Sequence, residues 1–345
     1  MKLKRVPIEA SVALYLIAWI PYFALNRGLA SVAQPALGRP MTGLEILPAS
    51  MIFLTVFTYL FLWAGGWWKL APRVRIGPVS LPRPAAWTAL AGVGAAGLLL
   101  TVPLSVTFKG VSIPFVQLLM RGDVLIIAPM VDLLTGRRVR WWSWTALALV
   151  ALALVVTVKQ RGGLNLPALA IVAVAAYCLG YLIRLMAMSN VSKTGREGSL
   201  KRYYVEEQLV ATPFATAVLA LLAVFGQGPQ AEQIRWGFLH AFASSAAPWL
   251  ACSAAIAFIQ SVLAASILLD PRENAFCVAM ERAGSILGGL AATYVLWFAL
   301  NQPAPTPAEL FGAALLAAAL VLLGLAPRIA ARQAWRAGPA QIRVE

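Results

Sequence analysis

Groups that serve as acids, bases and metal ligands are scarce in this sequence. Its 345 residues include one histidine, His240, and only thirteen acidic side chains. A single imidazole with no second ligand beside it gives little reason to expect a metal centre, and His240 reads as an interfacial residue. No HExxH, GxSxG, Walker or paired-aspartate motif is present, so neither an enzyme nor a cofactor is expected. The three cysteines, Cys178, Cys252 and Cys277, lie in apolar runs and form no CxxC. Buried free thiols are expected, without a disulfide framework. Charge is scarce as well: 12% of residues are charged and 61% hydrophobic, with a mean hydropathy of +0.78. A soluble domain carries roughly 25% charged residues, so an ordinary soluble domain is excluded. The net charge of +15 would suggest nucleic acid in a soluble protein. Here the basic residues sit between apolar runs, so no nucleic-acid partner is expected and the lipid bilayer is the expected solvent.

Long apolar runs are abundant. Ten spans are predicted, over residues 9–25, 46–68, 86–107, 111–133, 142–158, 166–188, 206–226, 242–269, 274–300 and 308–326. The fold class is therefore an all-α polytopic membrane protein. An outer-membrane barrel is excluded, because its strands would read as ten-residue alternating segments. Span eight is long and is expected to be tilted or broken. The stretch MKLKRVPIEASVALYLIAWI looks like a signal peptide but lacks a small-residue cleavage site, so it is read as a retained first span.

The orientation follows from the basic residues. With the N-terminus in the cytoplasm, nineteen of the 28 Lys and Arg fall on the cytoplasmic side and six on the other. The remaining three, Arg121, Arg184 and Arg282, lie inside spans. This bias places both termini in the cytoplasm, and the expected location is a plasma membrane of the bacterial inner-membrane type.

The polar stretch SNVSKTGREGSLKRYY, 189–204, falls near the middle of the chain and invites a search for a repeat. Phe115 precedes Arg121 in FVQLLMR as Phe276 precedes Arg282 in FCVAMER, and the two arginines are 161 residues apart. Glu45 and Glu207 are 162 apart, and Tyr22 and Tyr181 are 159 apart. Residues 1–160 then form a first five-helix repeat, and 161–345 a second with a short cytoplasmic C-terminal tail. Two halves with an odd number of spans insert in opposite orientations. This is the inverted-repeat plan of secondary transporters, with a site near the midplane.

Two stretches carry a family resemblance. KGVSIPFVQLLMRGDVLIIAPMVDLLTGRRVRWWSW, 109–144, is similar to the fourth and fifth helices of the drug/metabolite transporter superfamily. PTPAELFGAALLAAALVLLGL, 305–325, is similar to its last helix. The chain thus resembles EamA-like members, with some similarity to the nucleotide-sugar and sugar-phosphate branch through the basic residue of span four. It departs from that branch at AFCVAMERAG, 275–284. The resemblance implies a secondary carrier of a small solute, with export the common direction.

The candidate site is built on the two arginines. Arg121 is the eleventh residue of its span, about 15 Å deep, and Arg282 is comparably placed. An unpaired Arg at that depth costs about 2.5–3.5 kcal/mol, so each needs a protein partner or a wet cavity. Their guanidinium forks suit a carboxylate or phosphate. Gln117 and Ser285 share their faces, Gln260 shares a face of span eight with Ser253, and Tyr22 and Tyr181 could add walls. Asp123 and Glu281 are the candidate ion-pair or proton-coupling acids. Adjacent helix positions diverge by about 100° and positions two apart by about 200°, so Arg282 with Glu281, or Arg121 with Asp123, are not expected to pair directly. Cross-pairing between spans four and nine stays open, and so does a purely structural role for both arginines. Arg184 reads as a snorkelling residue, and Glu45 and Glu207 as helix caps. The expected function is transport of a small, anionic metabolite by alternating access, with proton coupling, as a monomer or homodimer. A flippase for an anionic lipid is the nearest alternative, then a membrane-embedded lipid-modifying enzyme or an accessory subunit.

Overall fold

The computed structural model describes residues 7–35, 37–76, 79–108, 112–121, 124–136, 138–160, 167–191, 199–270, 272 and 274–337. Twelve α-helices and one short hairpin are present among them. The helices are α1 Ile8–Leu29, α2 Gly43–Ala64, α3 Ala86–Ser105, α4 Ile113–Arg121, α5 Val124–Leu134 and α6 Trp141–Gln160. They continue with α7 Ala168–Val191, α8 Ser199–Phe225, α9 Pro229–Leu239, α10 Ala247–Leu268, α11 Asn274–Leu300 and α12 Pro307–Ala337. Nine of the helices among the described residues are long and apolar enough to cross a bilayer. The protein is an all-α, multi-pass membrane protein.

The outward faces confirm the choice of solvent. Leu14, Ile17, Trp63, Phe225 and Phe298 are all more than half exposed, as lipid-facing residues should be. Helix association in lipid gains little from the hydrophobic effect and relies on close packing. At the α3–α7 seam, a Cβ on Gly94 would lie 2.5 Å from the Gly180 carbonyl oxygen, and one on Gly180 2.6 Å from that of Gly94. Only glycine admits backbones that near. Further round the bundle, α1 packs on α10 and α11, α2 on α8, α9 and α10, α3 also on α8, and α6 on α12. The long helix α11 sits inside, touching α1, α4, α5, α6, α10 and α12.

The termini of α2 show how local sequence sets a boundary. Thr42 accepts from the Glu45 amide at 3.3 Å while Glu45 Oε2 accepts from the Thr42 amide at 2.8 Å, a complete capping box. Glu45 also pairs with Arg39, whose pKa that hydrogen bond raises.

Four expectations change. The fourth span is two helices, α4 of nine residues and α5 of eleven, each too short to cross alone. Span eight is shorter than expected: α10 is one unbroken helix beginning at Ala247, a 3-10 turn at Ala241–Ala243 takes up the start of the predicted run, and α9, opened by Pro229, lies ahead of it. Helix α8 begins at Ser199 instead of 206, because Tyr203, Tyr204 and Val205 are buried against neighbours despite the basic residues around them. Between α2 and α3, residues Arg73–Ile76 (β1) pair antiparallel with Val79–Pro82 (β2).

Candidate functional site

Every residue of α11 from Asn274 to Ile286 is buried. Glu281 and Arg282 therefore sit deep in the bundle and must find partners there. Tyr15 on α1 donates its hydroxyl to Glu281 Oε1 at 2.5 Å. Arg282 Nε lies 3.4 Å from Glu281 Oε2, and its Nη1 donates to the Tyr177 hydroxyl on α7. The guanidinium carbon stands 3.9 Å from the Tyr181 ring centroid and 5.2 Å from that of Tyr177. Those two rings stack with 10° between their planes. A cation over the face of a tyrosine gains about 0.5–2 kcal/mol, more when desolvated. One cluster thus ties α1, α7 and α11 together.

The direct Glu281–Arg282 pair overturns the expectation that adjacent residues stay apart. Their Cβ atoms do diverge, but both side chains are long enough for the charged heads to converge, and burial makes leaving either charge unmatched costly. Arg184 is a second correction. It is 7% exposed and does not snorkel. It makes a two-pronged pair with Glu207, with Nη2 to Oε2 at 3.1 Å and Nε on Oε1. Glu207 is fully buried and lies two turns inside α8 because that helix starts early. It is no cap, whereas Glu45 is.

Beside the Arg282 cluster lies a cavity of about 110 Å³, bordered by residues of α1, α2, α3, α7, α8, α10 and α11. Five expected site residues border it: Tyr22, Tyr181, Gln260, Glu281 and Arg282. Gln260 spends its amide on the Ala18 carbonyl at 3.2 Å, so it fixes α10 to α1. Gln117 and Ser285 are buried but do not border this cavity. Ser285 donates back to the carbonyls of Glu281 and Arg282 at 3.2 and 2.8 Å. Its face is that of its own helix turn. Arg121 ends α4, but its side chain, like all of Asp123, lies outside the described residues.

Tyr15, Trp19 and Tyr177 also border the cavity, and the sequence reading did not single them out. A signal was present. Tyr15 and Trp19 are four apart, so are Tyr177 and Tyr181, and the second pair follows the first by 162 residues. Repeated aromatic pairs on one helix face mark a shared wall better than single tyrosines do. This register sets Trp19, and not Tyr22, opposite Tyr181.

No family model matches the chain, and no curated protein matches it. A solved structure described only as the crystal structure of a protein is similar, with 14% identity and a TM-score of 0.54. The match covers 93% of this chain and 98% of that one. The likeness is one of fold.

Chemically, the cavity offers flat aromatic walls and one guanidinium–carboxylate pair. Arg184 also borders it, held by Glu207 in a two-pronged pair.

Proposed function

We propose that this protein is a secondary carrier of a small, anionic metabolite, working by alternating access, with ten spans in two inverted five-helix repeats. In this reading α4 and α5 together make the fourth span, both termini are cytoplasmic, and the membrane is a bacterial inner membrane. A place among the EamA-like drug/metabolite transporters is part of the same proposal, as is export. The observation that carries it is a single cavity bordered from both halves: Tyr15 and Trp19 from the first, Tyr181, Glu281 and Arg282 from the second.

The pattern of helix neighbours supports the repeat. Exchanging the halves turns α3 on α7 and α8 into α10 on α1 and α2, and both sets of contacts occur. It turns α1 on α11 into α7 on α4 and α5, and α11 on α12 into α4 and α5 on α6, again both present. The pairs α2–α8 and α6–α12 map onto themselves. Thr55 and Thr216, 161 residues apart, meet hydroxyl to hydroxyl at 3.3 Å.

An anion reaching Arg282 competes with Glu281 for it. A proton on Glu281 removes that competition, so anion and proton bind best together. This links the acid to coupling and the arginine to solute recognition. The test is a thermal-shift series on purified protein in detergent, with small carboxylates and phosphate monoesters. A ligand at 100 times its Kd stabilises by about 2.7 kcal/mol. Arg282→Ala should abolish the shift for the responding anion while the protein stays monodisperse. An undiminished shift in that variant, or a response to organic cations alone, would reject the assignment.

A further inference from the structure

The connection between α2 and α3, residues 65–85, is longer than the roughly 4–6 residues most connections take. It carries Lys69, Arg73, Arg75 and Arg83 and no acidic residue. A 3-10 turn, Trp67–Leu70, leads into the β1–β2 hairpin. The Arg83 amide closes the hairpin by donating to the Pro72 carbonyl at 2.7 Å. Across the strands Arg73 faces Pro82, Val74 faces Leu81 and Arg75 faces Ser80. Strand side chains alternate between faces. Arg73 and Arg75 therefore share one face with Ser80, and Val74 and Leu81 share the other.

The basic groups are held in place by aromatic rings and by α8. The Arg73 guanidinium carbon lies 4.9 Å from the Trp68 ring centroid, and Lys201 Nζ on α8 lies 5.1 Å from that of Trp67. Trp67 is itself packed edge-on against Phe61 and Tyr204, at 5.0 and 6.5 Å between centroids. The buried Glu206 accepts from the Ala85 amide at 2.9 Å and from the Thr88 hydroxyl, and it pairs with Arg202. That ties the end of the connection to the first turns of α8. Lys69, Arg73, Arg75, Arg83 and Lys201 are all exposed. Among the described residues none of these five has a carboxylate partner.

The patch begins where the lipid-facing surface ends. Both α2 and α3 are long and apolar enough to cross a bilayer. Leu60 and Trp63 at the end of α2 are exposed, as are Trp87 and Leu90 at the start of α3. Between them, Leu70 and Leu81 are exposed on the connection itself. We propose that the β1–β2 hairpin is a platform for anionic phospholipid. Leu70, Leu81 and Trp87 rest at the acyl-chain boundary, and the arginines and lysines gather phosphodiester headgroups of net negative charge. A guanidinium fork fits phosphate oxygens, and the two hairpin arginines present two such forks side by side. A second copy of the chain fits poorly, because like charges would face each other across a two-fold axis. A free anion would make no use of the apolar border. The platform rests on the multi-pass fold and holds whether or not the chain carries a solute.

Lipid selectivity at the hairpin tests it. The full chain, with Cys178, Cys252 and Cys277 replaced by alanine, carries a fluorophore on Ser80→Cys in phosphatidylcholine vesicles. The quenchers are phosphatidylglycerol and phosphatidylcholine, each with a nitroxide near the top of one acyl chain. A basic residue at an anionic surface gains about fivefold in binding, so the two arginines together should give phosphatidylglycerol a preference of about 25-fold. Arg73→Gln with Arg75→Gln should remove most of that preference, and Arg73→Lys with Arg75→Lys should keep most of it. Lys159→Gln, an exposed cation at the far end of α6, should leave it unchanged. Raising salt from about 0.1 to 1 M shortens the screening length from about 10 to 3 Å and should weaken the preference without any substitution in the patch, so this arm does not depend on a variant folding. Equal quenching by the two lipids, or a preference that the double glutamine variant leaves intact, would overturn the platform. A preference abolished by inorganic phosphate at constant ionic strength would make the patch a free-anion site instead. Quenching by both lipids that fades as protein density rises would mean that a second copy covers the hairpin, and would overturn it too.

Discussion

Replacing Arg282 separates architecture from recognition in the central cluster. Arg282→Ala leaves Glu281 buried, 4% exposed, with the Tyr15 hydroxyl still donating to it. Breaking one side of a buried pair costs about 3–5 kcal/mol, and the lost contact with the Tyr181 face is contained in that figure. Arg282→Lys keeps the charge but loses the fork and the flat stacking surface, so its cost should be smaller, about 1–2 kcal/mol. The double variant Glu281→Gln with Arg282→Met removes both charges and fills similar volume. Such replacements of buried pairs are about neutral or stabilising, so the double variant should recover most of the loss. The assay is denaturant-induced unfolding of the purified protein in micelles, with the coupling energy read from the full double-mutant cycle. A double variant as unstable as Arg282→Ala would refute the reasoning, because it would mean the tyrosines and not Glu281 anchor the guanidinium. A double variant that is stable yet unresponsive to anions is the outcome expected of a binding pair.

Arg184→Ala should cost about 3–5 kcal/mol for the same reason, and Arg184→Met with Glu207→Gln should recover most of it in the same unfolding assay. Gly94→Ala should lower stability by about 1–3 kcal/mol through overpacking, since its Cβ would meet the Gly180 carbonyl at 2.5 Å, whereas at Gly97 the nearest atom is 3.4 Å away and alanine should be tolerated; melting curves of the two variants decide it. Cysteine labelling in intact cells should find Leu70–Ile76 inaccessible and Gly228–Leu239 accessible from outside, and the reverse pattern would invert the topology.

Much of the architecture could be read from hydropathy alone. The predicted limits of span nine, 274–300, coincide with α11, because its apolar run is bounded by polar residues on both sides. Boundaries failed where burial and hydropathy part company. Tyr203 and Tyr204 are buried within a stretch that also holds Lys201 and Arg202, so the start of α8 looked like loop. The hairpin was visible in principle, as R-V-R-I, Gly77-Pro78 and V-S-L-P alternate like paired strands, but a reading tuned to twenty-residue runs passes over four-residue ones. At the site, sequence located the charges but not their partners. Which way a side chain points on a helix follows from its position, but how two long side chains bend together does not. That is why Glu281 with Arg282 and Arg184 with Glu207 both went unforeseen. The outer residues of the expected set, Gln117 and Ser285, share a face with the arginines along their helices, yet sharing a face did not place them on the cavity.

The meeting of Thr55 with Thr216 has a geometric consequence. Two positions that are each other's counterpart form a pair that an exchange of the halves maps onto itself. If the halves exchange shapes, as the proposed carrier cycle requires, the distance between residues 55 and 216 returns to the same value, while distances such as 27 to 293 and 189 to 132 swap. Under that proposal the contact at 3.3 Å is the fulcrum about which both ends swing. Spin labels on those two threonines would provide an internal ruler of constant length against which every other movement of the helices can be measured.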